Sequence, residues 1–440
     1  MAWGLVKDHW GKTNRSSAAT SEIIFKDIRP AGEFSKVFIQ SKTSDNRTKL
    51  IGGDTWRVYV RGPTNIAATV FDHNNGTYEA LFLITEPGVY QLMIYLDYSL
   101  CDGFKDPPRN WFIIGDYQAR QQRNGVVGPL DEYLVKHANG ELALNITVSR
   151  AQLKVPLSDK LKDLASCSET CKYLWDGFGQ WKNDKWMPYL KESYNWSMAQ
   201  NYTRSGTLWV YGDSVGRLLY ESVKTRPLCN LLYEKCNNSY VWVYRKDNEG
   251  LYIKKERNLD FRPEKVIKTV TDVLRTPEMQ LEETTLLLNL VLHFVRSVSF
   301  STYQKLIDDL IVALKDGELS QGGRVPKYRA KIIWKSSTAI CKEKYASHKK
   351  TDLRFVTSQR VALFTAYSVS AMCKAGFDVI DVYPLSDSYP PRCTDHVHYD
   401  KTVFDMMETM LEQYKVHYNK KLDENEKHGK IKRCISKENF

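Results

Sequence analysis

At 440 residues, with a net charge of +11, 42% hydrophobic and 12% aromatic residues, the chain has a globular composition and room for two or three domains. No apolar run reaches membrane-spanning length. The longest, Leu286 to Val295, is broken by Asn289 and His293 and reads as a buried strand. The positive charge favours anionic partners, but its densest stretch, 419–437, reads as a solvated tail, and no aromatic–basic interleaving points to nucleic acid.

In chain order, residues 1–20 are polar and read as a mobile tail. Met1 to Trp10 carries Lys7, Asp8 and His9 and lacks the apolar centre of a signal peptide. From 21 to 121 the pattern is β. Short alternating runs recur at Val37 to Ile39, Trp56 to Val60, Ala67 to Phe71, Tyr78 to Ile84 and Val89 to Tyr95, with turn clusters between them. That spacing predicts an all-β sandwich. Residues 122–205, with Trp175, Trp181 and Trp186, read as an irregular connector packed on the next domain.

From 206 to 418 strands alternate with helices. Strands are predicted at Leu208–Tyr211, Thr285–Leu292, Lys331–Lys335 and Val379–Tyr383. Helices are predicted at Val215–Lys224, Pro263–Leu274, Thr302–Lys315, Arg360–Ala375 and Lys401–Tyr414. This is an α/β domain on a mainly parallel sheet. Residues 419–440 form the basic tail.

N-glycosylation sequons begin at Asn14, Asn46, Asn75, Asn145, Asn195, Asn201 and Asn237, and none lies in the last 200 residues. They favour a secreted or lumenal protein whose leader or anchor lies outside this chain, over a cytosolic chain with accidental sequons. The nine cysteines suit an oxidising compartment. Cys167/Cys171 and Cys229/Cys236 are spaced for local bridges, and the odd cysteine, with Cys434 as candidate, would be free or intermolecular. No CxxC pair has matching Cys or His spacing, so no metal site is expected.

The chemistry concentrates in two motifs. Trp209-Val210-Tyr211 runs into Gly212-Asp213-Ser214 at a strand-to-helix junction. That junction exposes a hydroxyl beside helix N-terminal N–H groups. About 180 residues later, Asp395 stands three residues before His398. A carboxylate at that spacing can fix one imidazole tautomer and leave the other nitrogen as a base. Both motifs fall beyond predicted strand ends of one domain, where open α/β sheets place their sites. The plain alternatives are a helix cap at Asp213 or Ser214 and a surface loop at 395–398.

Asp72 to Tyr78, followed by Gly88 to Leu92, resembles the filamin-type immunoglobulin repeat. Gly212-Asp213-Ser214 with Arg217, and Asp395 and His398 before a final helix, resemble the SGNH/GDSL hydrolases and more narrowly their PC-esterase branch. The two domains together resemble the neurexophilin and PC-esterase domain (NXPE) family. Asn289 to Phe294, Ile333 to Ser337, and Asp378 to Pro384 leading to His398-Tyr399-Asp400 add to the likeness.

The resemblance implies a multidomain fold: an N-terminal all-β immunoglobulin/filamin-like sandwich, then an α/β SGNH-hydrolase-like three-layer domain. It implies Ser214 as nucleophile, His398 as general base and Asp395 as its orienter, with Asn289 and Arg217 at the oxyanion. No clear counterpart of the superfamily's second-block glycine is present. Asn289 reads equally as a buried amide satisfying strand ends. His293 reads as a core histidine on the same strand, and His396 as solvent-facing.

The implied activity is glycan O-acetyl transfer through an acyl-serine. The alternatives are a glycan O-acetyl esterase or a non-catalytic secreted binding protein. No bound cofactor is implied; a transferase would use an acetyl donor such as acetyl-CoA as co-substrate. The partner is the glycan, with no nucleic acid and no membrane span in this chain. Trp334, Tyr383, Tyr389 and Tyr399 are candidates for a sugar-stacking wall around the serine.

Overall fold

The computed structural model describes residues 12–107, 133–138, 143–150, 170–175, 177–189, 203–241, 263–281, 283–315, 319–320, 323–324, 327–344, 353–419 and 431–434. The sequons at Asn195 and Asn201, Cys167, the start of the polar tail and most of the basic tail lie outside the described residues, as do the side chains of Cys171 and Cys434.

Seven strands fill 22–98: β1 Glu22–Asp27, β2 Phe34–Gln40, β3 Thr55–Arg61, β4 Asn65–Ala67, β5 Thr69–Asp72, β6 Thr77–Leu83 and β7 Gly88–Tyr98. Alternation in β2 turns Val37 and Ile39 inward, where they meet Val58, Val60, Tyr78, Leu92 and Leu96. One sheet has the order β1-β2-β6-β5, and β4, β3 and β7 form the middle of the other. The predicted run Ala67 to Phe71 is two strands, because the chain changes sheets at Ala68. In the β5–β6 turn Gly76 has φ +85°, and a Cβ there would collide with the Lys49 carbonyl.

The segment expected as connector supplies further strands. β8 Lys136–His137 and β9 Leu144–Val148 both pair with β7. β10 Thr170–Tyr173 follows, then the hairpin β11 Gly179–Lys182 and β12 Lys185–Pro188. The loop expected around Trp181 and Trp186 is therefore regular. The two tryptophans are cross-strand partners, and the tight turn between them holds Asn183 and Asp184 at φ 49° and 57°, the left-handed pair that two-residue hairpins favour. Through β11 the hairpin extends the second sheet to β12-β11-β4-β3-β7-β8.

The second domain is a five-stranded sheet of β13 Thr207–Gly212, β14 Lys235–Tyr240, β15 Thr285–Leu288, β16 Lys331–Lys335 and β17 Asp378–Ile380. Every pair is parallel, in the order β14-β13-β15-β16-β17. Its helices are α1 Ser214–Val223, α2 Pro263–Leu274, α3 Leu292–Ser297, α4 Phe300–Lys315, α5 Ser358–Lys374, α6 Tyr383–Ser388 and α7 Thr402–Asn419. A last strand, β18 Ile431–Cys434, pairs with β10. Central β15 is buried along its whole length, as a strand covered on both faces must be.

Two predicted strands are too long. The run 285–292 stops at Leu288 and re-enters as α3, because a short apolar run does not distinguish buried strand from buried helix. The run 379–383 stops at Ile380. Pro384 opens α6, and the Asp381 carboxylate accepts from the Tyr383 N–H at 3.1 Å.

Candidate active site

β13 sits where the strand order reverses, with β14 on one side and β15 on the other. Such a switch point opens a crevice at the strands' C-terminal edge. Ser214 is the first residue of α1, immediately past β13. Asp213 caps this helix: its buried Oδ1 accepts from the N–H groups of Val215 at 2.9 Å and Gly216 at 3.3 Å. The cap fixes the turn and holds the half-buried serine at its apex.

Across the crevice the loop between α6 and α7 brings in the other two groups. His398 Nε2 lies 2.8 Å from Ser214 Oγ, and His398 Nδ1 lies 2.6 Å from Asp395 Oδ2. Asp395 Oδ1 accepts from the N–H groups of Val397 and His398, each at 2.8 Å. This pattern assigns the Nδ1 proton to the Asp395 contact and leaves Nε2 to accept from the serine hydroxyl. Burial works against the Asp395 charge. The Val397 N–H, the imidazole and the His398 N–H outweigh it and hold the carboxyl down at about 2. The loop is itself fastened, with Thr394 N–H donating to the His398 carbonyl at 2.7 Å and Cys341 N–H to the His396 carbonyl at 2.8 Å.

Asn289 is buried beyond β15, and its side-chain amide donates to the Lys335 carbonyl at 2.8 Å. It thus joins the ends of β15 and β16, the role of a buried amide satisfying strand ends. Its second amide hydrogen is not engaged by that bond. Arg217 lies one turn along α1, exposed, with its guanidinium 6.0 Å from the Tyr240 ring.

His293 stands on α3, not on a strand. Its Nδ1 meets the Val241 carbonyl at 2.8 Å, and burial pushes its pKa down. His396 is partly buried, 25% exposed, with Nδ1 3.8 Å from Asp395 Oδ1, so it is not simply solvent-facing. The aromatic wall does not form as expected. Trp334, Tyr389 and Tyr399 are core residues, with Tyr389 bonded to Asp400 and Tyr399 to the Ala339 carbonyl.

Three features had no local sequence signal. Lys335, at the end of β16, is fully buried. Its ammonium donates to the Ser336 carbonyl at 2.9 Å, and burial, opposed by the Asp213 charge, pushes its pKa down to about 8. A disulfide joins Cys341 to Cys393 beside the loop that carries Asp395 and His398, in addition to the expected Cys229–Cys236 bridge. The free thiol among the described residues is Cys101, half-buried and pushed up to about 11 by burial and by Asp72, Asp54 and Asp102. Among the described residues no cluster of three or more His, Cys, Asp or Glu could hold a metal ion, and no helix is long and apolar enough to cross a membrane.

No family model matches the chain, and no curated protein matches it. Solved structures with partial likeness include the Lin-41 filamin domain, 17% identical over 18% of this chain and 80% of that one, with a TM-score of 0.17. A putative arylesterase from Agrobacterium tumefaciens str. C58 is 11% identical over 49% of this chain and 100% of its own, with a TM-score of 0.30. Est24, a carbohydrate acetylesterase from Sinorhizobium meliloti, is 11% identical over the same shares, with a TM-score of 0.31.

Proposed function

We propose that this chain is a serine-dependent glycan O-acetyltransferase of the NXPE type, acting in the secretory pathway or after secretion. The observation that carries the reading is the unbroken run of contacts from Ser214 Oγ through His398 to Asp395, at 2.8 and 2.6 Å. In the first half-reaction Ser214 Oγ attacks the acetyl carbonyl while its proton passes to His398 Nε2. Collapse of the tetrahedral intermediate breaks the bond to the leaving group, which takes that proton. In the second half a glycan hydroxyl gives its proton to Nε2, attacks the acetyl-serine and restores Ser214. Asp395 stabilises the imidazolium in both halves.

The Ser214 N–H, which has no partner among the described residues, is the first oxyanion donor of this reading. The second Asn289 amide hydrogen and Arg217 complete the set. The acetyl donor, of the acetyl-CoA kind, is a co-substrate. Disulfides and the exposed sequon residues Asn46, Asn75 and Asn145 support the lumenal setting.

A glycan O-acetyl esterase is the second reading. One observation favours it: the His398 and Asp395 side chains keep 29% and 48% of their surface in solvent, so water has access to the base. Purified protein given an acetyl donor and a glycan decides between them. A transferase makes O-acetylated glycan faster than free acetate. Acetate dominating at saturating glycan assigns the esterase. Neither product from the folded protein, together with no fluorophosphonate labelling of Ser214, assigns the non-catalytic binding protein.

A further inference from the structure

The loop that carries Asp395 and His398 does not stand on the α/β domain alone. Its entry segment, α6, lies against the sheet of the sandwich. The Trp181 indole N–H of β11 donates to the Leu385 carbonyl at 2.8 Å. On β4 the Ala67 N–H donates to Ser388 Oγ, and Arg61 of β3 donates to the Ser388 carbonyl, both at 3.0 Å. The Tyr59 hydroxyl of β3 donates to Asp387 at 3.2 Å.

Four residues beyond α6 comes Arg392. It has φ +64°, a left-handed conformation that a non-glycine residue keeps only when its surroundings hold it. Its side chain, 11% exposed, is fully engaged. One amino group donates to the Asp387 carbonyl and carboxylate, each at 3.1 Å. The other reaches the Ile340 carbonyl and Glu343, each at 3.2 Å. The guanidinium also lies 4.8 Å from the buried Tyr59 ring, which Arg61, likewise at 4.8 Å, and Arg57, at 5.6 Å, approach as well. Glu343 in turn receives Arg57 of β3 at 3.5 Å, and Arg57 is anchored by Asp97 of β7. Cys393, the next residue, is bonded to Cys341, and Asp395 follows two residues later.

We propose that the sandwich is a working part of the serine site: Arg392, gripped by Tyr59, is a positioning residue that aims the Asp395–His398 loop at Ser214. Arg392 acts through the loop and touches no reacting atom. The constraint is geometric. The imidazole must meet Oγ and the carboxylate at once, and a shift of about 1 Å in such a contact can cost about 100-fold in rate. Between Arg392 and His398 there are only five residues, one of them cross-linked. A displaced Arg392 therefore moves the base.

This inference rests on the serine reading, and the test separates the two. The rate of fluorophosphonate labelling at Ser214 is measured across pH 5–9 for the full chain and for Arg392→Met, Arg392→Lys and Tyr59→Leu, with a melting curve for each. The expected result is labelling slowed about 10- to 100-fold in folded Arg392→Met and Tyr59→Leu. Their pH profile should be displaced because the imidazole has loosened from Asp395, and Arg392→Lys should recover part of the rate. A purely structural Arg392 would lower the melting temperature and leave rate and profile of the folded protein unchanged, and that result overturns the inference. If Arg392→Met does not fold, Tyr59→Leu, which removes the grip from the other domain, decides the question by the same two readouts. A wild-type chain that is folded and unlabelled overturns the serine reading itself.

Discussion

At the scale of single residues, Asp395 and Lys335 both favour the fold more as pH rises, in separate windows and for different reasons. Asp395 is held down at about 2, from an ordinary value of 3.8. A depressed carboxylate stabilises the fold above its unfolded pKa, and that contribution is lost as pH falls from about 4 to about 2. An activity loss between pH 7 and 5 would therefore belong to another group. Asp395→Asn leaves an amide that cannot hold the productive tautomer. It should lower kcat about 1000- to 10,000-fold with little change in KM, and a loss under about tenfold in steady-state assays would remove Asp395 from the mechanism. At Lys335 the fold disfavours the charged form instead. Its folded pKa of about 8 lies below the ordinary 10.5. Below pH 8 it is charged in both states and the burial penalty is complete. From 8 to 10.5 the folded state releases its proton first, and stability rises by up to roughly 3 kcal/mol from this group. Urea midpoints at pH 7.5 and 10 should show that rise in the wild type relative to Lys335→Met. An identical rise in both proteins would mean that Lys335 does not titrate in this window.

At the scale of elements, the two bridges described differ in reach. Cys229–Cys236 closes a separation of 7 residues and Cys341–Cys393 one of 52. Loop-closure entropy assigns roughly 2 and roughly 4 kcal/mol to them. Replacing Cys341 and Cys393 by alanine should thus lower the denaturation free energy about twice as much as replacing Cys229 and Cys236. Only the first replacement should also slow fluorophosphonate labelling, because Cys393 lies in the loop that carries His398, the base of the proposed reaction. Equal labelling by both double variants, with both proteins folded, would show that the loop keeps its shape without its bridge.

At the scale of the whole molecule, the core of the α/β domain is not closed by 206–418 alone. Tyr173, Trp175, Trp181 and Trp186 are buried in it and come from the segment before β13. At roughly 2 kcal/mol for each large side chain buried, a chain beginning at 206 loses several kcal/mol. That is a large part of the 5–15 kcal/mol of net stability usual for a domain. Residues 206–418 expressed alone should show no cooperative thermal transition, whereas the full chain should. A sharp transition of the fragment near that of the full chain would make the connector dispensable.

Sequence alone determined what depends on short-range pattern. Period-two runs gave the sandwich strands, and the limits of α2 and β16 agree with the structure because Pro263 opens one and a β-branched apolar run makes the other. The serine motif was legible as a strand, a cap and a helix, and Asp395 and His398 as a pair at fixed spacing. The ends of β15 and β17 were not legible, since an apolar run carries no mark where a buried strand becomes a buried helix. The tertiary structure decided what depends on meeting at a distance. It brought Ser214 to within hydrogen-bond reach of a histidine 184 residues away. It joined Cys341 to Cys393, buried Lys335 near Asp213, and set the loop of Asp395 and His398 on Tyr59 of the other domain. None of these has a local signal, because strand order and interdomain packing arise from the mutual burial of surfaces far apart along the chain.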